Sequence, residues 1–222
     1  MTSKTAAAPP AAAQLPLRER KKLRTRQALI DSALELFGER GFDAVTLNEL
    51  CDAVEVSKRT FFRNFNSKED VALAPTQDLW AAFLDVLEDC PADGRTLIAL
   101  FEDTLVVALD RMDADGWAEH ALASRRLAAR TPSMDAHGLA FCDRTSRAAL
   151  TVVERRFGLL GTGDVRARLA LDMLLAAFHR ALDGWVTQPA GHTRADLARR
   201  LRAACAELPG ALTVKAGMDL AG

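Results

Sequence analysis

No apolar run among the 222 residues approaches the ~18 that a membrane-spanning helix needs, so no transmembrane segment is expected. The opening stretch, MTSKTAAAPPAAAQLPLRERKK, lacks the ordered positive charge, Leu-rich core and cleavage site of a signal peptide. Its Ala/Pro run from Ala6 to Ala13 reads instead as part of a flexible low-complexity tail over residues 1–16. Cysteine is sparse: Cys51, Cys90, Cys142 and Cys205 stand far apart, with no C-x-x-C and no paired histidine spacing. That pattern excludes a disulfide framework or a zinc site and suits reduced thiols in a cytoplasmic protein. Also missing are G-x-S-x-G, a phosphate-binding loop and H-E-x-x-H. Gly161-Thr162-Gly163 has neither a third glycine nor a preceding strand and reads as a loop. Neither catalysis nor a bound metal or cofactor is expected.

Net charge is also small, −1 at pH 7, but the average conceals a split. Residues 1–68 carry 12 Lys/Arg against 8 Asp/Glu, and the remainder 17 against 22. A small basic front and a larger acidic back suggest two parts with different tasks. What is present is a foldable composition, 49% hydrophobic and 27% charged, which argues against wholesale disorder.

The periodicity is helical almost throughout. Leu23, Leu29/Ile30, Ala33/Leu34 and Phe37 recur every three or four positions, predicting one amphipathic helix over 17–40. Gly41 is placed to end it, with Phe42 folding back as the hydrophobic contact of the cap. Thr46 and Glu49 form the T-x-x-E capping box of a short helix reaching about Val54. Glu55-Val56 makes a turn, and Ser57 caps a helix expected to reach Phe65. Ser67 caps a longer helix in which Pro75 is a kink or break point. Further helices are expected near 95–112, up to about 129, over 135–157, over 164–187 and over 193–208. No alternating strand stands out, so the fold class is all-α.

The informative region is TLNELCDAVEVSKRTFFRNFNSK, residues 46–68. Two short helices joined by a tight turn, the second opening on polar and basic residues, have helix-turn-helix geometry. Phe61 and Phe65 anchor the second helix on one face. Lys58, Arg59, Thr60, Phe62, Arg63 and Asn64 are left on other faces, where several can meet DNA. Just upstream, Arg18–Arg26 holds six basic residues and one acid, Arg24 among them, a cluster suited to phosphates or a minor groove.

The run FGERGFDAVTLNELCDAVEVSKRTFFRNFNSKED resembles the N-terminal DNA-binding module of the TetR (tetracycline-repressor-like) transcriptional regulators. It carries G-F-x-x-x-T, V-S-x-x-T-F and F-x-S-K-E at the family's intervals, within roughly residues 20–75. The resemblance implies a three-helix DNA-binding domain over 17–66 and a larger helical domain over 67–222 that dimerises and usually holds a ligand. It further implies double-stranded DNA with a palindromic operator as the partner. By position, Thr46 and Ser57 would offer hydroxyls and helix-end amides to phosphates, with Lys58, Arg59 and Thr60 touching bases or backbone. Lys68 corresponds to a phosphate-touching lysine. Three departures stand out: Glu55 where the family commonly has Gly, Phe62 where it has Tyr, and Asn64 where it has His. Arg59 occupies a position that is frequently small, where it contacts either a guanine or a phosphate.

In the larger part, Leu171, Leu174/Leu175, Phe178 and Leu182 form one apolar row and Leu197, Leu201 and Cys205 another. As the resemblance implies, Leu171, Leu174, Leu175, Leu182, Leu197 and Leu201 are expected to build a homodimer interface, the competing role being each subunit's own core. A dimer has a use: two recognition helices about 34–36 Å apart read successive major grooves. Trp80, Phe83, Phe101, Leu105, Trp117, Phe141 and Phe178 either complete the core or line a pocket for a small apolar or amphipathic effector. His120, His137 or His179 would be its polar anchor. The expectation is a cytoplasmic, homodimeric repressor released from DNA by such an effector. Two alternatives are a regulator without a small ligand, controlled by a protein or acting as an activator, and a helical adaptor or enzyme with an incidental helix-turn-helix.

Overall fold

A computed structural model describes residues 16–91, 93–112, 114, 116–158 and 165–215. The Ala/Pro tail (apart from Pro16) and the 158–163 loop (apart from Gly158) lie outside the described residues. Among those described the secondary structure is helical, with no strand. The elements are α1 Leu17–Arg40, α2 Leu47–Ala53, α3 Lys58–Phe62, α4 Lys68–Asp89, α5 Leu97–Asp110, α6 Trp117–Ala128, α7 Pro132–Phe157, α8 Val165–Thr187, α9 Arg194–Ala206 and α10 Leu208–Ala211. The chain divides into two compact units at Ala72/Leu73.

In unit 1 the stripe on α1 buries Leu29, Ile30, Ala33, Leu34 and Phe37. Gly41 takes φ +87°, a conformation open to glycine at little cost, and donates its N–H to the Phe37 carbonyl. Phe42 then packs on Phe37, ring centroids 4.9 Å apart. The helix-turn-helix core is Leu50 and Phe61, both fully buried, with Val45 and Phe65 beside them. α3 is shorter than the expected reach to Phe65. It stops at Phe62, and Phe65 is carried inward by a turn in which the Asn64 amide nitrogen Nδ2 donates to the Thr60 carbonyl at 2.8 Å. The unit also extends further than the expected boundary at residue 66: the first turn of α4 belongs to it, with Val71 and Ala72 completely buried.

In unit 2 the largest buried side chains include Phe83, Phe101, Phe178 and Trp185. Pro75 does not split α4. The Trp117 indole N–H donates to its carbonyl at 3.0 Å, joining segments 42 residues apart. α7 begins at Pro132, three residues before the expected start, because proline at the first helical position brings a suitable φ and lacks only an amide that would be unpaired there anyway. α10, a single turn, was not foreseen.

The apolar rows expected at a dimer interface face inward. Leu171, Leu174, Leu182, Leu197 and Leu201 are buried in the protomer's own core, and Leu175 is half-buried. Side chains already removed from water by their own subunit have little left to give a partner. The outward faces carry Val165, Leu169 and Ala176 on α8 and Arg199, Arg202 and Ala203 on α9.

Candidate nucleic-acid interface and a cavity in unit 2

The helix-turn-helix is held by its caps. The Thr46 hydroxyl accepts from the Glu49 amide at 3.2 Å, and the Glu49 carboxylate accepts from both the Thr46 amide and hydroxyl at 2.8 Å. Arg40 donates to the other carboxylate oxygen at 2.6 Å. The Thr46 backbone bond, then the Arg40 guanidinium, hold Glu49 down to a pKa of about 2. The Thr46 hydroxyl proton is therefore committed within the protein and not held out to a phosphate. Ser57 caps α3, accepting from the Thr60 amide at 3.2 Å, and its hydroxyl lies 3.1 Å from that of Thr60. Glu55, between the two helices, has φ +55° and is the one non-glycine with positive φ among the described residues. The turn thus keeps the left-handed shape that glycine would adopt without a Cβ clash.

With Phe61 and Phe65 packed below, α3 turns Lys58, Arg59 and Phe62 outward, and Arg63 just past its end is also exposed, while Thr60 and Asn64 are half-buried. Phe62 is 54% exposed and stacks edge-on against Phe61 at 5.5 Å. An exposed phenyl ring on a polar, basic helix gains little from water and suits contact with a thymine methyl or a sugar. Beside it, Arg18, Lys21, Lys22 and Thr25 of α1 and Thr60, Arg63 and Asn64 line a hollow of about 280 Å³, with Glu19 its single acid. The Asn64 Oδ1 is buried there without a partner. Arg24 is exposed but does not line this hollow. Arg18, Lys21 and Lys22 were signalled only by the charge of their cluster.

Lys68 departs from expectation. Its ammonium donates to the carbonyls of Phe42 at 2.8 Å and Val45 at 2.6 Å, and lies 5.5 Å and 4.5 Å from the ring centroids of Phe37 and Phe42. The lysine turns toward the loop between α1 and α2, where two carbonyls and two aromatic faces hold it, and not out toward a phosphate.

Unit 2 contains a cavity of about 410 Å³ between α4, α6, α7 and α8. Trp80, Phe141 and Phe178 of the expected aromatic set line it. Phe83, Phe101, Leu105 and Trp117 do not; they are buried core, Trp117 being tied to Pro75, although Phe83 borders a separate void of about 10 Å³. Of the three histidines considered, His179 lines the cavity and His120 and His137 do not. Desolvation, and then the nearby Arg125 charge, push the His179 imidazole below its ordinary pKa. Gln77, Ser124, Arg125, Asp135 and Asp183 also line the cavity, with Arg125 and Asp183 paired at 3.0 Å. Those polar positions carried no sequence signal, since they converge only when four helices meet.

A three-helix basic head with such a recognition segment, followed along the chain by a larger all-helical unit, defines a helix-turn-helix regulator. Residues 29–74 match the family model of bacterial regulatory proteins, tetR family. The HTH-type transcriptional regulator TcmR of Streptomyces glaucescens is 37% identical over 164 residues, 72% of each chain. IcaR of Staphylococcus epidermidis, a negative regulator of the biofilm operon icaADBC, is 25% identical over 77 residues, 35% of this chain and 42% of IcaR. Among solved structures, the fatty acid degradation regulator FadR of Bacillus halodurans superposes with TM-score 0.54 at 18% identity, covering 86% of this chain and 97% of FadR. SmeT, repressor of the multidrug efflux pump SmeDEF of Stenotrophomonas maltophilia, gives 0.50 at 21%, covering 93% and 94%; both show the fold. The chain belongs to the TetR family. It is a sequence-specific DNA-binding transcriptional regulator and not an enzyme, and members of its family generally bind DNA as dimers. No helix among the described residues is long and apolar enough to cross a membrane.

Proposed function

We propose that the protein is a homodimeric repressor that grips a palindromic operator through α3 and the basic end of α1, and leaves it when a small molecule occupies the cavity of unit 2. The observation that carries the DNA side is the outward Lys58, Arg59 and Phe62 on a helix pinned from beneath by Phe61 and Phe65, with Arg63 exposed at its end. Arg59 is the base-reading side chain, since a forked donor placed near a recognition helix's start discriminates guanine by ~1–3 kcal/mol. Arg18, Lys21, Lys22 and Arg63 neutralise phosphates. Ser57 and Thr60 hold the helix end, and Thr46 acts through its cap. The dimer forms through the outer faces of α8 and α9.

Repression is the sign favoured by IcaR's description as a negative regulator. Release requires only that the effector bind the DNA-free state more tightly than the DNA-bound one. Selection of duplexes from a random pool with the whole protein tests the reading: an inverted repeat is expected. Enrichment of a single unrepeated half-site would oppose the dimeric reading, and enrichment of nothing would oppose the interface.

A further inference from the structure

Among the described residues Phe62 is the one exposed aromatic side chain; the other phenylalanines and the tryptophans are buried or half-buried. Its ring cannot withdraw, because Phe61 and Phe65 already fill the space beneath α3, and it meets Phe61 only edge-on. At 3.6 residues per turn, Phe62 falls between Lys58 and Arg59 when α3 is viewed down its axis, so the ring occupies the middle of the exposed face. Nearby polar groups are engaged elsewhere: the Thr60 hydroxyl lies 3.1 Å from that of Ser57, and the Asn64 amide nitrogen donates to the Thr60 carbonyl at 2.8 Å. Thr60, Arg63 and Asn64 line the hollow beside α1, and Phe62 does not. The face left for base edges is Lys58, Arg59 and a phenyl ring.

A phenyl ring has no donor or acceptor to offer a phosphate or a polar base edge. Pressed on either, it would desolvate polar atoms without bonding them, which costs as much as a lost hydrogen bond. In the major groove one base-edge group is apolar, the thymine C5-methyl. We infer that Phe62 is a specificity-determining residue: its ring packs on the methyl of one thymine in each half-site, within about two base pairs of the guanine contacted by Arg59. The spacing follows from the helix, since three residues advance α3 by about 4.5 Å against about 3.4 Å per base step. The inference rests on the reading of α3 as the base-reading helix and assigns it a second base.

The test exchanges each thymine of a selected inverted-repeat duplex in turn for deoxyuridine, in both half-sites together. The exchange removes the methyl and leaves every hydrogen-bonding group in place. Affinity is read by fluorescence anisotropy with the whole protein. The parent should lose about fifteenfold at one thymine position, about fourfold per half-site, which is the contribution of one buried methyl-sized group (~0.8 kcal/mol). In Phe62→Ala, and in the polar Phe62→Gln, the same exchange should change affinity less than about twofold. Both variants keep Phe61 and Phe65 beneath the helix, and an unchanged thermal midpoint shows that the fold is kept. A parent indifferent to every deoxyuridine would overturn the inference. So would a methyl penalty that survives both substitutions, because the methyl would then meet another residue and the ring a sugar. Arg59→Ala on the same duplexes separates the two readings. If it relaxes the guanine preference while every deoxyuridine is tolerated, α3 reads bases and only the role of Phe62 is refuted. If neither Arg59→Ala nor Phe62→Ala alters any base preference, the reading of α3 falls and this inference falls with it.

Discussion

Replacing Lys68 by methionine keeps most of the side chain's length and its apolar stem while deleting the ammonium. Two hydrogen bonds are lost, to the carbonyls of Phe42 at 2.8 Å and Val45 at 2.6 Å, together with contacts to two aromatic faces. Charge-assisted bonds contribute ~1.5–3 kcal/mol each and a half-exposed cation–π contact ~0.5–1 kcal/mol. Relief of the ammonium's desolvation and the retained packing offset part of this, leaving a net loss of about 2–3 kcal/mol in unit 1. The three tryptophans, Trp80, Trp117 and Trp185, all lie in unit 2 and are poor reporters of that loss. Amide hydrogen exchange is the suitable assay. Core amides of α2 and α3, such as those of Leu50 and Phe61, should exchange about 30–150-fold faster in Lys68→Met, that being the free-energy loss expressed as an opening constant. The salt dependence of operator binding should keep its slope. Unchanged exchange together with a slope shallower by about one would refute the reasoning and return Lys68 to the phosphate backbone.

Glu55→Gly should raise the urea midpoint by the equivalent of ~0.5–1 kcal/mol, since φ +55° strains a side chain and not glycine; a lowered midpoint would show that Glu55 makes compensating contacts. Glu49 has its folded pKa depressed from 4.5 to about 2, so its contribution is present above pH 4.5 and is lost as pH falls through about 2. Over that window the parent should lose stability relative to Glu49→Gln in acid-denaturation curves; parallel curves would mean the Arg40 and Thr46 bonds are not populated in solution. Leu174→Ala should cost ~2–5 kcal/mol in urea unfolding while leaving the oligomeric state by sedimentation unchanged. A variant that dissociates without losing stability would put Leu174 at the interface after all.

The head was readable because its signals are local. Gly41 ends α1, Thr46 and Glu49 cap α2, Ser57 caps α3, and Phe61 and Phe65 share a spacing that only a buried face explains. Glu55 stood where a left-handed residue was needed, and its φ has that sign. The helix ends were less readable: Asn64's side chain closes the turn after α3 by a bond that a helical pattern does not reveal. Lys68 was misplaced for a related reason. A lysine at a helix start is compatible with solvent, phosphate or carbonyls, and only the path of the 41–46 loop decides. On α8 and α9 the periodic leucines announce a buried stripe, but periodicity cannot say whether a subunit or its partner buries it. The cavity is more remote still, because Trp80, Phe141 and Phe178 look like core until Gln77, Arg125 and His179 are found beside them.

The most direct test of the α3 interface is fluorescence anisotropy of a selected inverted-repeat duplex, titrated with the whole protein and with Arg59→Ala from 50 to 200 mM salt, roughly the range over which phosphate-dominated binding falls steeply. Parent affinity should drop steeply and log-linearly with salt. Arg59→Ala should show the same slope but lose its preference for the selected base at one position in each half-site, by about tenfold. If Arg59→Ala instead reads every base as the parent does, and binding barely responds to salt, then α3 is not the element that reads the operator.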